Sequence, residues 1–368
     1  MHLKNLRLLN FKNYEDAYIE FTSKINCIVG DNGSGKTNML DAIHYLSLTK
    51  SAINSIDMQN IRHESNFFTI KGTFNKLGRD HEVFCSLEKG KKKVFRQDNS
   101  EYEKMSEHIG QFPTVLISPG DNEIIREGND IRRKYFDTIL AQIDHQYLLN
   151  LIGYNHNLRQ RNSLLKFFRD NLSADPDLIE PYNHILLDLG QKIHQKRKNF
   201  ADRYFPVFIK KYAFIAEEKE KTSISYVSQF DEMDYEHTLK SALSYEIENQ
   251  RTTFGIHKDK WEFMIDGRRL KKVGSQGQRK TFVIALKLAQ YDIIKDEKGF
   301  APVLLLDDIF DKLDDSRIHK LMEMVAANYF SQIFLTDARP ERTNSILSSL
   351  SLESNIVAIK DGKITNKW

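Results

Sequence analysis

Cysteine and proline are scarce in this sequence of 368 residues, which contains 2 Cys and 7 Pro. Cys27 and Cys85 lie in apolar, strand-like segments without a CxxC pair or a histidine cluster, so neither a disulfide framework nor a zinc site is expected. The low proline content argues against a disordered or collagen-like chain. The composition indicates a globular protein of a reducing compartment, long enough for two or three domains.

Long apolar runs are also missing. No segment approaches the roughly 18 apolar residues that cross a bilayer, and the N-terminal "MHLKNLRLLNFKNYEDAYIEF" lacks the continuous apolar core of a signal peptide. We therefore expect a cytoplasmic protein without a membrane partner. Neither an internal repeat nor a sustained heptad pattern is present. The formal net charge of +3 permits a nucleic-acid partner without requiring one.

The pattern of apolar residues changes along the chain. Residues 1–30 and 67–116 alternate polar and apolar positions, which predicts short strands, whereas residues from 121 to about 207 follow a helical period. Further strands are expected at "TSISYV" and "WEFMIDGRRL". They precede the helix "TFVIALKLAQYDIIKD", the apolar strand "APVLLLDD", a helix over 315–329 and a last strand, "SQIFLTD". Helices that alternate with apolar strands are typical of a largely parallel sheet.

The segment "GDNGSGKT" fits the phosphate-loop pattern G-x-x-x-x-G-K-[ST], between an apolar strand and an amphipathic helix. Glycines permit positive φ and close approach of the backbone, so that successive N–H groups at a helix N-terminus can face phosphate oxygens. In such a loop the lysine binds the β and γ phosphates, and the hydroxyl residue binds Mg²⁺. The predicted ATP-binding residues of this loop are Gly30, Asp31, Asn32, Gly33, Ser34, Gly35, Lys36 and Thr37.

An acidic pair ends the apolar segment "VLLLDD". Asp307 directly follows four apolar residues, which is the arrangement of a Walker B carboxylate at the end of a strand. We expect Asp307 to bind Mg²⁺ together with Thr37, and Asp308 to polarise the attacking water as a general base. An acidic turn after a strand is common in isolation, and the phosphate loop is what favours the functional interpretation.

The segment "GSQGQRK" opens the long helix that precedes Asp307. Its Ser275-Gln276-Gly277-Gln278 resembles the Ser-Gly-Gly-Gln part of the ABC ATPase signature. A serine hydroxyl and glycine N–H groups at a helix N-terminus form an anion site. Taken by itself, the segment is better explained as an ordinary helix N-cap.

The order of the motifs favours the signature interpretation. Phosphate loop, signature, Walker B and a D-loop-like "KLDD" with Leu313 and Asp314 follow one another as in ABC ATPases. In that family the signature of one subunit completes the phosphate loop of another. The resemblance therefore implies a homodimer that encloses two ATP molecules, with Ser275 as a catalytic residue beside Lys36 and Asp308, and with Gly277 and Gln278 as further ATP contacts.

Two parts of the ABC pattern are altered. Thr336 and Asp337, in "FLTDARPE", stand where ABC ATPases often carry a switch histidine. The candidate for the Q-loop is "LISPGDNEII", with Asp121 in place of the glutamine.

Several longer segments resemble the RecF family of bacterial recombination proteins, and together they span nearly the whole chain. They are "LRLLNFKNY", "ISPGDNEIIREGNDIRRKYFDTIL", "YNHNLRQRNSLLK" and "GIHKDKWEFMIDGRRLKKVGSQGQRKTFVIALKLAQ". The resemblance implies an α/β fold, an ABC-type ATPase head of two lobes. Lobe I, with a mixed sheet, would comprise residues 1–115 and 256–368, and the mostly helical lobe II residues 116–255. It further implies ATP-dependent dimerisation on DNA near single-strand gaps, cooperation with RecO and RecR to load RecA, and release by ATP hydrolysis.

Three basic runs are candidate DNA contacts. They are Lys89, Lys91, Lys92, Lys93 and Arg96 in "EKGKKKVFR", "RRK" at 132–134 and "GRRLKK" at 267–272. Each neutralised phosphate adds a salt-dependent contribution to affinity, although each run taken alone is better explained as a solvated face. No aromatic residues interleave with the charges, so we expect contacts to the backbone of duplex DNA and of single-strand junctions rather than sequence readout.

Three other classes of protein share parts of this pattern. An ABC-type ATPase coupled to a membrane or another protein partner usually has a compact head with the standard signature and lacks a long helical insertion. A head-linked nuclease needs a carboxylate-rich domain, for which the stretch after "SQIFLTD" is short. A structural SMC-like clamp needs long heptad arms. The sequence favours a DNA-binding ATPase of recombinational repair over all three.

Overall fold

The computed structural model describes residues 1–171, 175–217, 220–231, 235–309, 315–341 and 353–367. By its internal contacts the chain divides into two compact units. The first comprises Met1–Asn122, Lys211–Glu218 and Gln276–Trp368, and the second comprises Glu123–Lys210 and Lys219–Ser275. Residues 256–275 thus group with the second unit, whereas the sequence analysis assigns them to lobe I. The lobe boundaries themselves stay a prediction.

The described residues form fifteen strands, numbered along the chain. They are β1 (His2–Phe11), β2 (Tyr14–Glu20), β3 (Ile25–Val29), β4 (Phe67–Lys76), β5 (Arg79–Glu88), β6 (Val94–Gln97), β7 (Ser100–Glu101), β8 (Thr114–Ile117), β9 (Thr222–Val227), β10 (Lys260–Ile265), β11 (Arg268–Arg269), β12 (Val303–Leu306), β13 (Gln332–Asp337), β14 (Ser354–Lys360) and β15 (Lys363–Lys367).

Nine α-helices lie in the same described ranges. They are α1 (Lys36–Leu48), α2 (Glu123–Arg126), α3 (Asn129–Ile143), α4 (His145–Asp170), α5 (Pro176–Ala216), α6 (Tyr235–Asn249), α7 (Leu270–Val273), α8 (Gln276–Lys298) and α9 (Asp315–Ala326). Among the residues that the structure describes, the helices are too short or too polar to span a bilayer.

The first unit contains two six-stranded sheets. One has the order β2-β1-β4-β5-β6-β7, and its neighbouring strands pair antiparallel. This meander is the alternating pattern predicted for the N-terminal third. The side chains of β4 alternate as expected, with Phe68, Ile70 and Phe74 fully buried.

The other sheet has the order β15-β14-β3-β13-β12-β8. Strands β14, β3, β13, β12 and β8 pair parallel, and β15 is antiparallel to β14. The largely parallel sheet is therefore confirmed, but the prediction that β13 is the last strand is wrong. Strand β14 pairs with β3, so a strand from the C-terminal end of the chain flanks the one that precedes the phosphate loop.

Helix α1 is surrounded by core on nearly every side. Met39, Ile43, Tyr45 and Leu46 are fully buried, in one hydrophobic cluster with residues of both sheets. The helix is therefore buried around most of its circumference, including the polar Asp41 and Ser47, rather than along a single stripe as its amphipathic pattern predicts. The phosphate loop therefore ends in a rigidly packed helix.

The second unit combines long helices with the three-stranded sheet β11-β10-β9. The rings of Phe136 and Trp261 stack at 3.9 Å in its core. Arg197 is buried and pairs with Asp137 at 2.8 Å and with Asp259 at 2.7 Å. Removing one partner of such a buried network costs about 3–5 kcal/mol, because the remaining charge is left without compensation.

Candidate nucleotide-binding site

The polar ends of three parallel strands meet at one edge of the sheet. The loop after β3 holds residues 30–35, β12 is followed by Asp307, and β13 ends with Thr336 and Asp337. Strand β13 lies between β3 and β12, so its Thr336 can contact residues that follow both neighbours. Parallel pairing thus brings together segments that are far apart in the chain.

The loop between β3 and α1 depends on two glycines. Gly30 has a φ of 153°, and an added Cβ atom there would lie 2.2 Å from the Ile359 carbonyl oxygen. Gly35 has a φ of 119°, and its Cβ would lie 2.5 Å from Asn13 Nδ2. Any other residue would meet both backbone strain and a steric clash.

The Lys36 ammonium is folded into the loop. Its Nζ donates to the carbonyl oxygens of Gly30 at 2.6 Å and of Asp31 at 2.9 Å, and the side chain is buried. A buried ammonium needs acceptors on several sides. Anionic phosphate oxygens are stronger acceptors than carbonyls, so this lysine is poised for an anionic ligand.

Carbonyl groups of the loop are held by residues that the sequence analysis does not predict. Asn13 Nδ2 and the Gly362 N–H each donate to the Ser34 carbonyl at 2.9 Å, and the Tyr14 hydroxyl donates to the Gly35 carbonyl at 2.9 Å. The Ser34 hydroxyl is buried and has no hydrogen-bond partner among the described residues. With several carbonyls already satisfied, the loop has a spare donor for a ligand.

Thr37, Asp307 and Thr336 form a second cluster. Asp307 Oδ1 accepts from Thr37 Oγ1 at 3.0 Å and from Thr336 Oγ1 at 2.9 Å. Burial raises the pKa of the Asp307 carboxyl, and the hydrogen bonds from Thr336 and Thr37 act against that rise. Hydroxyl and carboxylate oxygens are the hard ligands that Mg²⁺ prefers.

Asp308 is positioned by its backbone. Its φ is 49°, a left-handed conformation, and its N–H donates to Thr336 Oγ1 at 2.8 Å. Thr336 therefore contacts both acidic residues, whereas the sequence analysis assigns it only to the place of a switch residue. The threonine hydroxyl holds the acidic pair in one arrangement.

The signature-like segment leads into α8. Ser275 and Gln276 are exposed, while Gly277 and Gln278 are half-buried in the first turn of the helix. An added Cβ at Gly277 would lie 3.3 Å from Arg317 Nη2. Arg317 Nε donates to Thr281 Oγ1 at 2.5 Å, and this hydroxyl donates to the Gly277 carbonyl at 3.1 Å. The role of the segment in trans stays a prediction.

The candidate Q-loop residue is engaged in an internal ion pair. Asp121 Oδ1 lies 2.6 Å from Lys287 Nζ on α8, and its Oδ2 accepts from the Ser118 N–H at 2.6 Å. This carboxylate therefore links the segment after β8 to the helix that the signature opens. Leu313 and Asp314, the D-loop candidates, lie outside the described residues.

The basic runs differ in how their charges are used. Arg132 is buried and donates to the carbonyls of Ile124, Ile125 and Trp261, and Arg133 donates to the Asp259 carbonyl. Arg132 is therefore unsuited to contact DNA, because it is buried in the second unit, whereas Arg133 is half-buried and Lys134 is exposed, so a contact by those two stays a prediction. The run at 267–272 keeps exposed Arg268, Lys271 and Lys272.

Known proteins resemble this chain over nearly its whole length. The family model RecF/RecN/SMC N terminal domain matches residues 2–356. The DNA replication and repair protein RecF of Flavobacterium johnsoniae is 44% identical over 349 residues, which are 95% of this chain and 97% of that protein. Its namesake in Cytophaga hutchinsonii is 42% identical over 364 residues, covering 99% of this chain and 96% of that protein.

Solved structures share this fold. The structure of "the recombination mediator protein RecF-ATP in RecFOR pathway" has a TM-score of 0.90 and 28% identity, and covers 100% of this chain and 97% of that one. An Smc head domain from Pyrococcus furiosus, at 18% identity and a TM-score of 0.56 over 99% of this chain and 96% of that one, shares the fold. The predicted α/β ABC-type ATPase head is confirmed. This chain belongs to the RecF family of DNA replication and repair proteins.

Proposed function

We propose that this protein is an ATPase that forms an ATP-dependent homodimer on DNA during recombinational repair, and that hydrolysis releases the DNA. The observation that carries the proposal is the 3.0 Å contact between Thr37 Oγ1 and Asp307 Oδ1. It unites a phosphate loop with a Walker B carboxylate. The RecF structure with the TM-score of 0.90 is described as an ATP form, which supports the choice of nucleotide.

The proposed roles follow from the contacts. Residues 30–37 bind the triphosphate, with Lys36 exchanging the carbonyls of Gly30 and Asp31 for phosphate oxygens. Thr37 and Asp307 hold Mg²⁺, which neutralises charge on the β and γ phosphates when it is bound. Asp308 polarises the attacking water, and Thr336 holds its backbone in place.

The proposed partners are DNA, RecR, and then RecO and RecA. That RecF structure is described as a recombination mediator protein in the RecFOR pathway, and this description supports the extension to the present chain. We place this activity in the cytoplasm. Contacts to the phosphate backbone, without sequence readout, fit the exposed lysines and arginines of the remaining basic runs.

The test is ATP turnover per chain against protein concentration, with and without duplex DNA at moderate salt. We expect the specific activity to rise with concentration, because a composite site is complete only in the dimer, and to rise further with DNA. Lys36→Ala is the control, with no nucleotide binding. A turnover that is flat in concentration and indifferent to DNA contradicts both the dimer and the DNA partner, and favours an ATPase that serves another protein or a membrane.

Ser275→Arg tests the role of the signature separately. Ser275 is exposed, so a bulky cation there leaves the fold and the ATP affinity of the monomer unchanged. We expect ATP-dependent dimerisation, measured by light scattering, to be lost. Normal dimerisation of this variant would remove Ser275 from the composite site.

A further inference from the structure

The segment after α1 exposes three large apolar side chains within six positions. Ile53 is 53% exposed, Ile56 56% and Met58 42%. Single apolar residues on a surface need no explanation, but a cluster of them marks an interaction site. The segment lies wholly within the first unit.

The loop that carries these apolar side chains is held by hydrogen bonds to polar side chains. Asp41 of α1 accepts from Ser51 Oγ and from the Ala52 N–H, both at 2.6 Å, and Asn54 Nδ2 donates to Asn60 Oδ1 at 3.1 Å. Asp41 is itself paired with buried Lys12 at 2.6 Å. The apolar side chains are thus presented on a preformed loop, and ordering it on binding costs little entropy.

The basic turn between β5 and β6 is fastened to the same loop. Lys93 Nζ lies 2.6 Å from Oδ2 of Asp57, the residue between Ile56 and Met58 in the sequence. The same atom lies 2.6 Å from the Thr49 carbonyl oxygen. The preceding residues Lys89, Lys91 and Lys92 are exposed, and Lys91 pairs with Glu88 at 2.9 Å. The ion pair of Lys93 therefore joins an apolar cluster to a group of exposed cations.

We propose that residues 53–58 and 89–93, which we call the wedge surface, contact duplex DNA. The lysines bind phosphates, and Ile53, Ile56 and Met58 enter the minor groove and partly unstack a base step. Proteins that kink DNA combine these two elements, an apolar wedge and flanking cations. The proposal rests on the proposed DNA-binding function and names the surface that carries it. The excess of lysine favours an anionic partner over an apolar face of another protein.

The apolar part is tested with Ile53→Ser, Ile56→Ser and Met58→Ser combined in the full chain. The probe is a duplex that contains 2-aminopurine, whose fluorescence rises when its base step unstacks. We expect the wild type to produce that rise, and the variant to lose it and to bind at least fivefold more weakly. The slope of log K against log salt should be unchanged, because no phosphate contact is removed.

The basic part is tested with Lys89→Ala, Lys91→Ala and Lys92→Ala combined. In this variant the slope of log K against log salt should decrease in magnitude by about 2 to 3, since each lost phosphate contact removes about 0.9. Leu77→Ser is the matched control, because Leu77 is 74% exposed on another turn of the same unit. It should leave both the affinity and the fluorescence rise unchanged.

Three results overturn the wedge surface. The apolar variant could bind with wild-type affinity and an unchanged fluorescence rise. Its loss of affinity could be matched by Leu77→Ser. Alternatively, the apolar variant could form fewer ATP-dependent dimers, while the dimers that do form bind DNA as tightly as the wild type. That result would assign the loop to a contact between protein chains. Binding of duplex DNA by the wild type is measured before any variant is compared. If the wild type does not bind, the proposed function is contradicted rather than the wedge surface alone.

Discussion

Asp308 combines a left-handed backbone with a carboxylate beside a second carboxylate. Its φ is 49°, a conformation that aspartate and asparagine tolerate better than most residues. The N–H bond to Thr336 is made by the backbone and is independent of the side chain. The charge at this position can therefore be removed without disturbing the local fold.

We expect Asp308→Asn to bind ATP normally and to hydrolyse it at least 100-fold more slowly. Asparagine keeps the left-handed φ but cannot accept a proton from the attacking water, and general-base catalysis contributes about 10²–10⁴-fold. The ATP-bound dimer should then accumulate, as measured by light scattering with ATP. A variant that binds ATP yet stays monomeric at high concentration would count against the composite site.

Gly30 is expected to be the most sensitive glycine of the phosphate loop. The Cβ of Gly30→Ala would lie 2.2 Å from the Ile359 carbonyl oxygen, so β14 or the loop must move. We expect a loss of about 1–3 kcal/mol in the free energy of unfolding, measured with urea, and weaker ATP binding. Gly33→Ala is the matched control: its φ is 84°, but no atom of the described residues lies within 4 Å of the added methyl. Equal losses in the two variants would show that backbone strain, rather than the clash with β14, decides the cost.

At the scale of elements, the first turn of α8 is tied to α9. Arg317 packs against Gly277 and donates to Thr281, which is fully buried. A cation near a helix N-terminus is unfavourable by about 0.3–1 kcal/mol because of the helix dipole. The hydrogen bond from Arg317 to Thr281 offsets this cost and keeps the guanidinium beside Gly277. It connects the helix that follows the Walker B segment to the turn that carries the signature.

We expect Arg317→Ala to lower ATP-dependent dimerisation and turnover about tenfold while the ATP affinity of the monomer stays unchanged. Thr281→Ser keeps the acceptor hydroxyl and should behave like the wild type. Thr281→Val removes it, and the double variant with Arg317→Ala should be no worse than the single one, because the two residues act through one contact. His319→Ala, an exposed change on the same helix, is the control. Additive effects of the two changes would contradict the coupling.

Most helices and strands could be predicted because periodicity and turn chemistry are local. Two errors have different causes, the first a local turn at a helix end and the second a tertiary contact. Helix α9 ends at Ala326 rather than at 329, and Asn328 adopts a left-handed φ of 54° just beyond it. Strand β14 was not predicted because it is stabilised by pairing with β3, which lies more than 300 residues away in the sequence.

At the scale of the whole molecule, buried histidines set a limit on acid stability. Burial lowers the pKa of His108 to about 4, and burial also lowers the pKa of His257 to about 4. His108 packs among aromatic rings, with Nε2 2.6 Å from the Leu46 carbonyl oxygen, and His257 contacts the Tyr154 hydroxyl at 2.8 Å. One histidine belongs to each unit, so both units are affected.

Acidification should therefore destabilise the protein. Between pH 6.5 and 4 these two histidines bind protons in the unfolded chain but stay neutral in the folded one. Their contribution to the free energy of unfolding is therefore fully present above pH 6.5 and falls as the pH drops toward 4. From pH 6.5 to 5.5 each histidine should cost about 1 kcal/mol. Urea unfolding at both pH values should show this loss reduced by about 1 kcal/mol in His108→Phe. His63 is exposed, so His63→Gln should lose as much free energy of unfolding between pH 6.5 and 5.5 as the wild type. If His108→Phe also loses the wild-type amount, His108 does not contribute to the acid sensitivity.

The phosphate loop and the acidic pair at Asp307 and Asp308 could be predicted from the sequence because each occupies a short contiguous segment. The fold class could be predicted from the order of motifs and the periodicity over nearly the whole chain. The distant residues that support the phosphate loop are known only from the tertiary structure. Asn13, Tyr14 and Gly362 hold its carbonyls, and Thr336 joins the acidic pair because β13 lies between β3 and β12.

The same division applies to the surface. The sequence identified the basic runs, because charge is visible in composition. It could not separate the buried Arg132 from the exposed Lys92, or place the lysine-rich turn beside Ile56, because burial and proximity depend on how strands pair and helices pack. Packing is decided by contacts between segments far apart in the chain, and no local pattern records them.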